Sequence, residues 1–176
     1  MTNKKTKIVI DADVIIHFIK GGYLSILHCI YPQYDYIILS IVLDEVRKHS
    51  DTRVAIDNHI SLLKTLKVVE WNPKGEMIRD FAVLTDKESR GEGESACMIY
   101  CKYNNDVVAS SNLKDICEYC NQNKITYVTT LDFLFEALQK QLMTECECNQ
   151  FIRNVRLKGS TLPDIKILDY TPRVRL

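Results

Sequence analysis

Five short runs of continuous apolar and β-branched residues divide this chain, and helix-like apolar spacing fills the intervals between them. The runs are KIVID (7–11), YDYIILS (34–40), LKVVEW (66–71), DVVAS (106–110) and ITYVT (125–129). A strand apolar on both sides belongs in a sheet covered on both faces. Strands alternating with helices form a parallel sheet, and right-handed crossovers place the helices on its two sides. The expected architecture is therefore α/β, a three-layer sandwich around a central parallel sheet of four to five strands. Helices are expected over 41–49, with Ser40 as a plausible N-cap, and over 53–65, 75–84, 92–103, 112–122 and 130–142.

Beyond residue 142 the periodicity weakens. Residues 144–159 read as one more short helix, 162–170 as an extended segment, and 171–176 as a basic tail. With 176 residues in all, one domain over 1–142 and a C-terminal extension, 143–176, packed on it is the expected division. The extension is too short for a core of its own.

Lys+Arg and Asp+Glu both number 23, so the chain is not a generally basic nucleic-acid binder. Contact with phosphate has to come from a local patch or from metal ions. No apolar run approaches the roughly 20 residues of a spanning helix. Residues 1–7 hold three lysines but no apolar signal region follows, which predicts a cytoplasmic protein without membrane association. Seven cysteines, an odd number, fit a reducing compartment. Cys97 and Cys101 share a helical face, Cys117-x-x-Cys120 lacks a second such pair, and Cys146-x-Cys148 has poor ligand spacing, so thiols are expected rather than zinc. His17, His28, His49 and His59 form no metal motif, and His17 reads as a packed helix residue.

In open parallel sheets ligands bind at the carboxyl ends of the strands, where strand order reverses. Acids gather at those exits. The first run ends at Asp11, with Asp13 close behind. Glu45 follows the second exit by about one helical turn, while Asp44 points elsewhere. Gly91 and Gly93 flank Glu92, and Glu94 opens a helix with the small residues Ser95 and Ala96; two glycines there bring backbone close to another group. The fourth run exits into Ser110, Ser111, Asn112 and, one turn on, Asp115. Each acid taken alone also reads as a helix cap or a solvated face. Several carboxylates converging on one point require a counter-charge, for which a hard divalent cation is suited.

The segments IDADVII, SIVLDEV, GEGESACMIY and VVASSNLKDI, in this order, resemble the successive acidic motifs of PIN domains over roughly residues 7–140. The resemblance implies a metal-dependent endoribonuclease that hydrolyses single-stranded RNA with Mg²⁺ or Mn²⁺ and leaves a 5′-phosphate and a 3′-hydroxyl. It maps catalytic acids to Asp11, Glu45 and Glu94, and Asp115, one turn beyond Asn112, would supply the fourth catalytic charge. Asp11, Glu94, Asn112 and Asp115 would hold metal; Asp13, Glu92 and Ser110 would support them. The chain departs from the pattern at Ser110-Ser111-Asn112, where many relatives have Thr-x-Asp. The family also implies the toxin of a toxin–antitoxin pair, a small antitoxin protein as partner, and homo-oligomers. Ile19, Tyr23, Leu24, Ile26 and Leu27 are available for such an interface or for the core.

Lys20, Arg47, Lys48, Arg90 and Lys114 are the basic residues nearest these motifs, and Tyr23 and Tyr36 are candidates for base stacking, although packing suits both. Other readings stay open. A PIN domain weakened at Asn112 would serve as a binding module. A haloacid-dehalogenase-type phosphatase would use Asp11 as nucleophile and Asp13 as acid/base, but the later paired aspartates of that family are absent and Asp132 stands alone. A receiver domain needs an aspartate after the third strand, where this chain has Glu70.

Overall fold

The computed structural model describes residues 5–86, 91–174 and 176. Its strands are β1 (Lys7–Ile10), β2 (Asp35–Leu39), β3 (Lys67–Val69), β4 (Val107–Ala109) and β5 (Tyr127–Val128). All pair in parallel, in the order β3-β2-β1-β4-β5. Ile8 sits between Tyr36 and Val107 in register. Ile8, Val9 and Ile10 are wholly buried, as a central strand covered on both faces requires.

The chain runs outward from β1 through β2 to β3, returns across the sheet, and runs outward again through β4 to β5. Strand order reverses between β1 and β4. Two backbone bonds carry the ladder just past the strand ends there. Asp11 N–H donates to the Ala109 carbonyl at 2.9 Å, and Ser110 N–H to the Val128 carbonyl at 3.1 Å. The first acid and the serine loop are thereby fixed at one end of the sheet.

Among the described residues the α-helices are α1 (Ala12–Gly21), α2 (Leu27–Ile30), α3 (Ser40–Val46), α4 (Ser50–Asn58), α5 (Glu76–Thr85), α6 (Glu92–Asn104), α7 (Leu113–Gln122), α8 (Thr130–Gln139) and α9 (Glu145–Leu157). One group of helices joins α1 to α8 and α9. Its centre is aromatic: Phe18 of α1 meets Phe133 of α8 at 5.9 Å and Phe151 of α9 at 5.1 Å between ring centroids, both edge-on. The other group joins α6 to α5 and α7, with α6 also against β1 and β2. Every residue from Gly93 to Ile99 is buried, which small side chains at Gly93, Ser95, Ala96 and Cys97 make feasible.

Several local expectations change. Ser40 is the first residue of α3 and not its cap; Leu39 holds the cap position, and the Ser40 hydroxyl accepts the Trp71 N–H at 2.9 Å. That bond ties the exit of β2 to the chain leaving β3. The helix expected over 53–65 begins earlier, at Ser50, and ends in a π-helical turn, His59–Leu63. Leu24–Ile26 forms a 3₁₀ turn leading into α2, where no element was expected. Residues 162–170 contain a 3₁₀ turn, Ile167–Asp169, and no strand. The short helix expected over 144–159 spans 13 residues and docks on α1. Thr144 and Glu147 form a capping box at its start, Thr-x-x-Glu, which the irregular apolar pattern concealed. No helix among the described residues is long and apolar enough to cross a membrane.

Candidate functional site

The first carboxylate follows from β1. Asp11 is 5 % exposed, and its Oδ1 accepts the Ala12 N–H at 2.8 Å, so it caps α1 while standing at the strand exit. Capping satisfies one oxygen and leaves the charge in a buried place. Burial, then Asp13 and Glu94, and less strongly Glu45, raise its pKa well above the ordinary range; the Ala12 N–H opposes them. Two sequence-distant motifs, besides its own, therefore act on one carboxyl group.

Glu45 reaches this cluster through a contact that explains a glycine. A Cβ built on Gly93 would lie 2.9 Å from Glu45 Oε1 and 3.1 Å from both Cδ and Oε2. Any side chain at 93 would displace that carboxylate, so the second glycine of Gly91-Glu92-Gly93 makes room for Glu45 at the start of α6. Glu94, the next residue, is 5 % exposed. Glu92 is exposed, and Asp44 likewise.

Asp13 serves the loop after β4. Its Oδ2 accepts the Ser111 N–H at 2.7 Å, and its Oδ1 the Val14 N–H at 2.6 Å. Burial pushes its pKa up to about 6, against the pull of the N–H groups of Ser111, Val14 and Asn112 and of the Ser110 hydroxyl. Ser110, fully buried, accepts the Asn112 N–H at 3.3 Å. The Ser111 hydroxyl donates to Thr130 Oγ1 at 2.8 Å and accepts the Thr130 N–H at 3.0 Å, and Thr130 Oγ1 also meets His17 Nδ1 at 2.9 Å. His17 is a packed residue of α1 whose pKa burial lowers to about 4. This chain from α1 through Thr130 to the β4 loop was not visible in the sequence, because a histidine, a threonine and a serine carry no joint spacing signal.

Asn112 and Asp115 lie farther out. Asn112 holds the cap position of α7 without a side-chain cap; its amide donates to Asp115 Oδ2 at 2.6 Å. Asn112 is exposed and Asp115 partly so. The structure thus gathers Asp11, Asp13, Glu45 and Glu94, and places Asn112 with Asp115 as a bonded pair at the rim.

Among the described residues, no three acidic, histidine or cysteine side chains converge at metal-ligand spacing. The donor set still fits a hard cation. Its oxygens are carboxylates, no lysine, arginine or histidine among the described residues forms an ion pair with Asp11, Asp13 or Glu45, and Asp11 carries the cost of neighbouring negative charge. Mg²⁺ keeps several waters and is commonly held by one or two carboxylates, so three converging ligands are not a requirement for it.

The basic candidates are largely engaged elsewhere. Lys20 donates to Ser160 Oγ at 2.8 Å, and Arg47 pairs with Asp57. Lys48 and Lys114 are exposed, and Arg90 lies outside the described residues. Tyr36 is 4 % exposed with its hydroxyl accepting the Tyr31 N–H, so it is a core residue and not a stacking platform. Tyr23 tilts against Phe151 at 6.3 Å. The seven cysteines form no disulfide among the described residues, and Cys97, Cys101, Cys120 and Cys148 are buried.

No family model and no curated protein matches the sequence. Among solved structures, the fold is similar to a chain in the crystal structure of DNA-bound VapBC from Salmonella typhimurium. The superposition covers 71 % of this chain and 98 % of that one, with a TM-score of 0.52 and 12 % identity. At that identity the likeness establishes a shared architecture, a PIN-like α/β fold with an all-parallel five-stranded sheet flanked by helices.

Proposed function

We propose that this protein is a metal-dependent endoribonuclease that hydrolyses phosphodiester bonds of single-stranded RNA, acting as the toxin of a toxin–antitoxin pair. One observation carries the reading: Asp11 is buried where strand order reverses, and the charges of Asp13, Glu94 and Glu45, which belong to three separate motifs, all act on its carboxyl group. Open parallel sheets bind ligands at that point. The fold likeness to a chain of a VapBC complex supports the toxin role, with a small antitoxin protein as partner; a cytoplasmic location and assembly into homo-oligomers belong to the same reading.

Asp11 and Glu94 would hold Mg²⁺ or Mn²⁺, with Glu45 beside them and Asn112 and Asp115 completing the rim. When bound, the ion supplies a water of lowered pKa and offsets charge on phosphoryl oxygens. The chain's own contribution is placement. Asp11 is fixed by its bond to Ala12, and Glu45 by the space Gly93 leaves. Asp13 clamps Ser111 and so sets where Asn112 and Asp115 stand against the cluster. The Asn112 amide bond leaves its carbonyl oxygen and Asp115 Oδ1 as acceptors at the rim.

The same geometry weakens the phosphatase reading. An acid/base needs a carboxyl group able to exchange its proton with substrate, whereas both oxygens of Asp13 accept backbone N–H groups. The binding-module reading turns on Asn112, a neutral residue at the rim.

Calorimetric titration of Mn²⁺ into wild type and into Asp11→Asn, Glu94→Gln and Glu45→Gln, followed by cleavage of labelled single-stranded RNA, tests the proposal. Wild type should bind and cleave, with both losses in the Asp11 and Glu94 variants. A wild type that binds no Mn²⁺ at millimolar concentration rules out the enzyme and favours the binding module.

A further inference from the structure

A second feature opens beside the carboxylates, one strand farther along the sheet. It is a cavity of about 430 Å³. Aliphatic walls come from Leu113, Leu131, Leu162 and Ile165, and Ser111 and Thr129 line it at the exits of β4 and β5. Its volume lies in the usual range for small-ligand sites, as does the combination of apolar walls with a few polar groups. Ser111 connects it to the site, because the same residue donates its N–H to Asp13.

Two residues of the C-terminal segment give the cavity chemical character. Tyr170 lines it with a ring that cannot turn freely: its hydroxyl donates to Asp132 Oδ1 at 2.8 Å and meets Thr129 Oγ1 at 3.4 Å. Asp132 is 1 % exposed and also accepts the Arg173 N–H at 3.0 Å, so one buried carboxylate fixes the position of both residues. Arg173 is exposed and lines the same cavity with a permanent positive charge. A held aromatic ring, aliphatic walls, hydroxyls and a guanidinium together match a flat heteroaromatic group bearing a phosphate. Stacking on a fixed ring accepts any base, and the arginine complements phosphate.

We infer that the cavity between Leu113, Leu162 and Tyr170 seats one unstacked nucleobase of the RNA, with Arg173 on its phosphate, next to the bond placed at Asp11. The inference rests on the nuclease reading for its substrate, and gives residues 160–173 the role of a substrate wall. A base held there fixes the position of the strand relative to the cut, so the cavity governs substrate placement and not the chemical step.

The test uses the full chain without metal, its methyl groups labelled for NMR, titrated with AMP, CMP, GMP and UMP, with inorganic phosphate and ribose 5-phosphate as controls. At least one monophosphate should move the methyls of Leu113, Leu131 and Ile165, equally in Asp11→Asn, while the controls do not. Arg173→Gln should weaken that binding about tenfold, and Ile165→Trp, which fills the cavity, should abolish it with the remaining spectrum unchanged. Because Ile165 is packed, the Arg173 variant stands as the test if the tryptophan disturbs the fold. Methyls that stay still in all four titrations overturn the inference even if Mn²⁺ binds through Asp11 and Glu94. Equal shifts from ribose 5-phosphate overturn it too, since no base would then be seated. Pocket shifts in a chain that binds no Mn²⁺ would retain a nucleotide site while removing the nuclease.

Discussion

Gly93→Ala separates the site from the fold. The added Cβ would stand 2.9 Å from Glu45 Oε1 and 3.1 Å from Cδ and Oε2, against ordinary contacts of 3.4–4 Å. Oε1 must move by about half an ångström, and Cδ and Oε2 by a few tenths. What yields is the far end of a half-buried side chain, so the cost to folding is small. Alanine offsets part of it, being better than glycine inside a helix by up to about 1 kcal/mol, and less so in the first turn. The net change in stability should lie within about 0.5 kcal/mol, a shift of roughly 2 °C or less in melting temperature for a chain of this size. The site has no such latitude. Misplacing a group that orients a metal site typically costs about 10- to 100-fold in affinity or activity. Thermal unfolding without metal, Mn²⁺ calorimetry and RNA cleavage on one preparation give the comparison, with Glu45→Gln alongside. The expected result is an unchanged melting temperature with binding and cleavage down by at least tenfold. Full binding and cleavage in Gly93→Ala would refute the reasoning, because Glu45 would then have no part in the site.

Gly21→Ala drives a Cβ to within 2.2 Å of the Phe151 ring, and overpacking of this kind should cost about 1–3 kcal/mol in denaturant unfolding. Combining it with Phe151→Leu should cost less than the sum of the two single changes. Asp132→Ala removes the N3 half of the α8 capping box and strands the groups that bond to it, Thr129 N–H, Tyr170 hydroxyl and Arg173 N–H; a loss of about 2–4 kcal/mol is expected. His17 has a folded pKa of about 4 against 6.5 for the free group, so the unfolded chain takes up its proton first as pH falls. Its contribution is intact above about pH 6.5 and is lost down to about pH 4, by up to roughly 3 kcal/mol. Asp13, raised to about 6, acts oppositely, adding stability as pH falls from about 6 to 3.8, so the comparison of wild type with His17→Gln isolates the histidine slope.

The sheet was legible because its signals are local and redundant. Ile8, Val9 and Ile10, or Ile37, Ile38 and Leu39, announce strands buried on both faces without reference to anything else in the chain. Asp11, Glu45 and Glu94 were legible for a related reason: each stands at a fixed interval after such a strand or at the head of a helix. The role of Ser40 was not, since a serine before a helical run looks like a cap, and only pairing of β2 with β3 brings Trp71 to its hydroxyl. Helix α9, expected over 144–159 and found over Glu145–Leu157, was legible only faintly, for the opposite reason. Its buried face is Cys148, Phe151, Ile152 and Val155, and cysteine and asparagine interrupt the pattern that would have announced it.

Those concealed contacts share a cause that bears on function. Phe151 against Gly21, Asp132 against Tyr170 and Arg173, and Thr130 between His17 and Ser111 all join residues far apart in sequence. No periodicity encodes them. They are also the contacts that join the C-terminal residues to α1 and to the exits of β4 and β5. Asp132 shows the consequence most clearly. Its Oδ2 accepts from Thr129 in the capping box of α8, while its Oδ1 accepts from Tyr170 and Arg173. One carboxylate thus starts a helix of the sandwich and fixes the wall of the neighbouring cavity. Asp132→Asn should distinguish these tasks. An amide can still accept through one oxygen, so it can keep one task but not both. If it keeps the cap, folding is nearly preserved while Tyr170 is released, and nucleotide binding in the cavity falls without loss of Mn²⁺ binding. An Asp132→Asn chain that loses Mn²⁺ binding while still folded would show that the cavity wall and the carboxylate cluster are one mechanical unit.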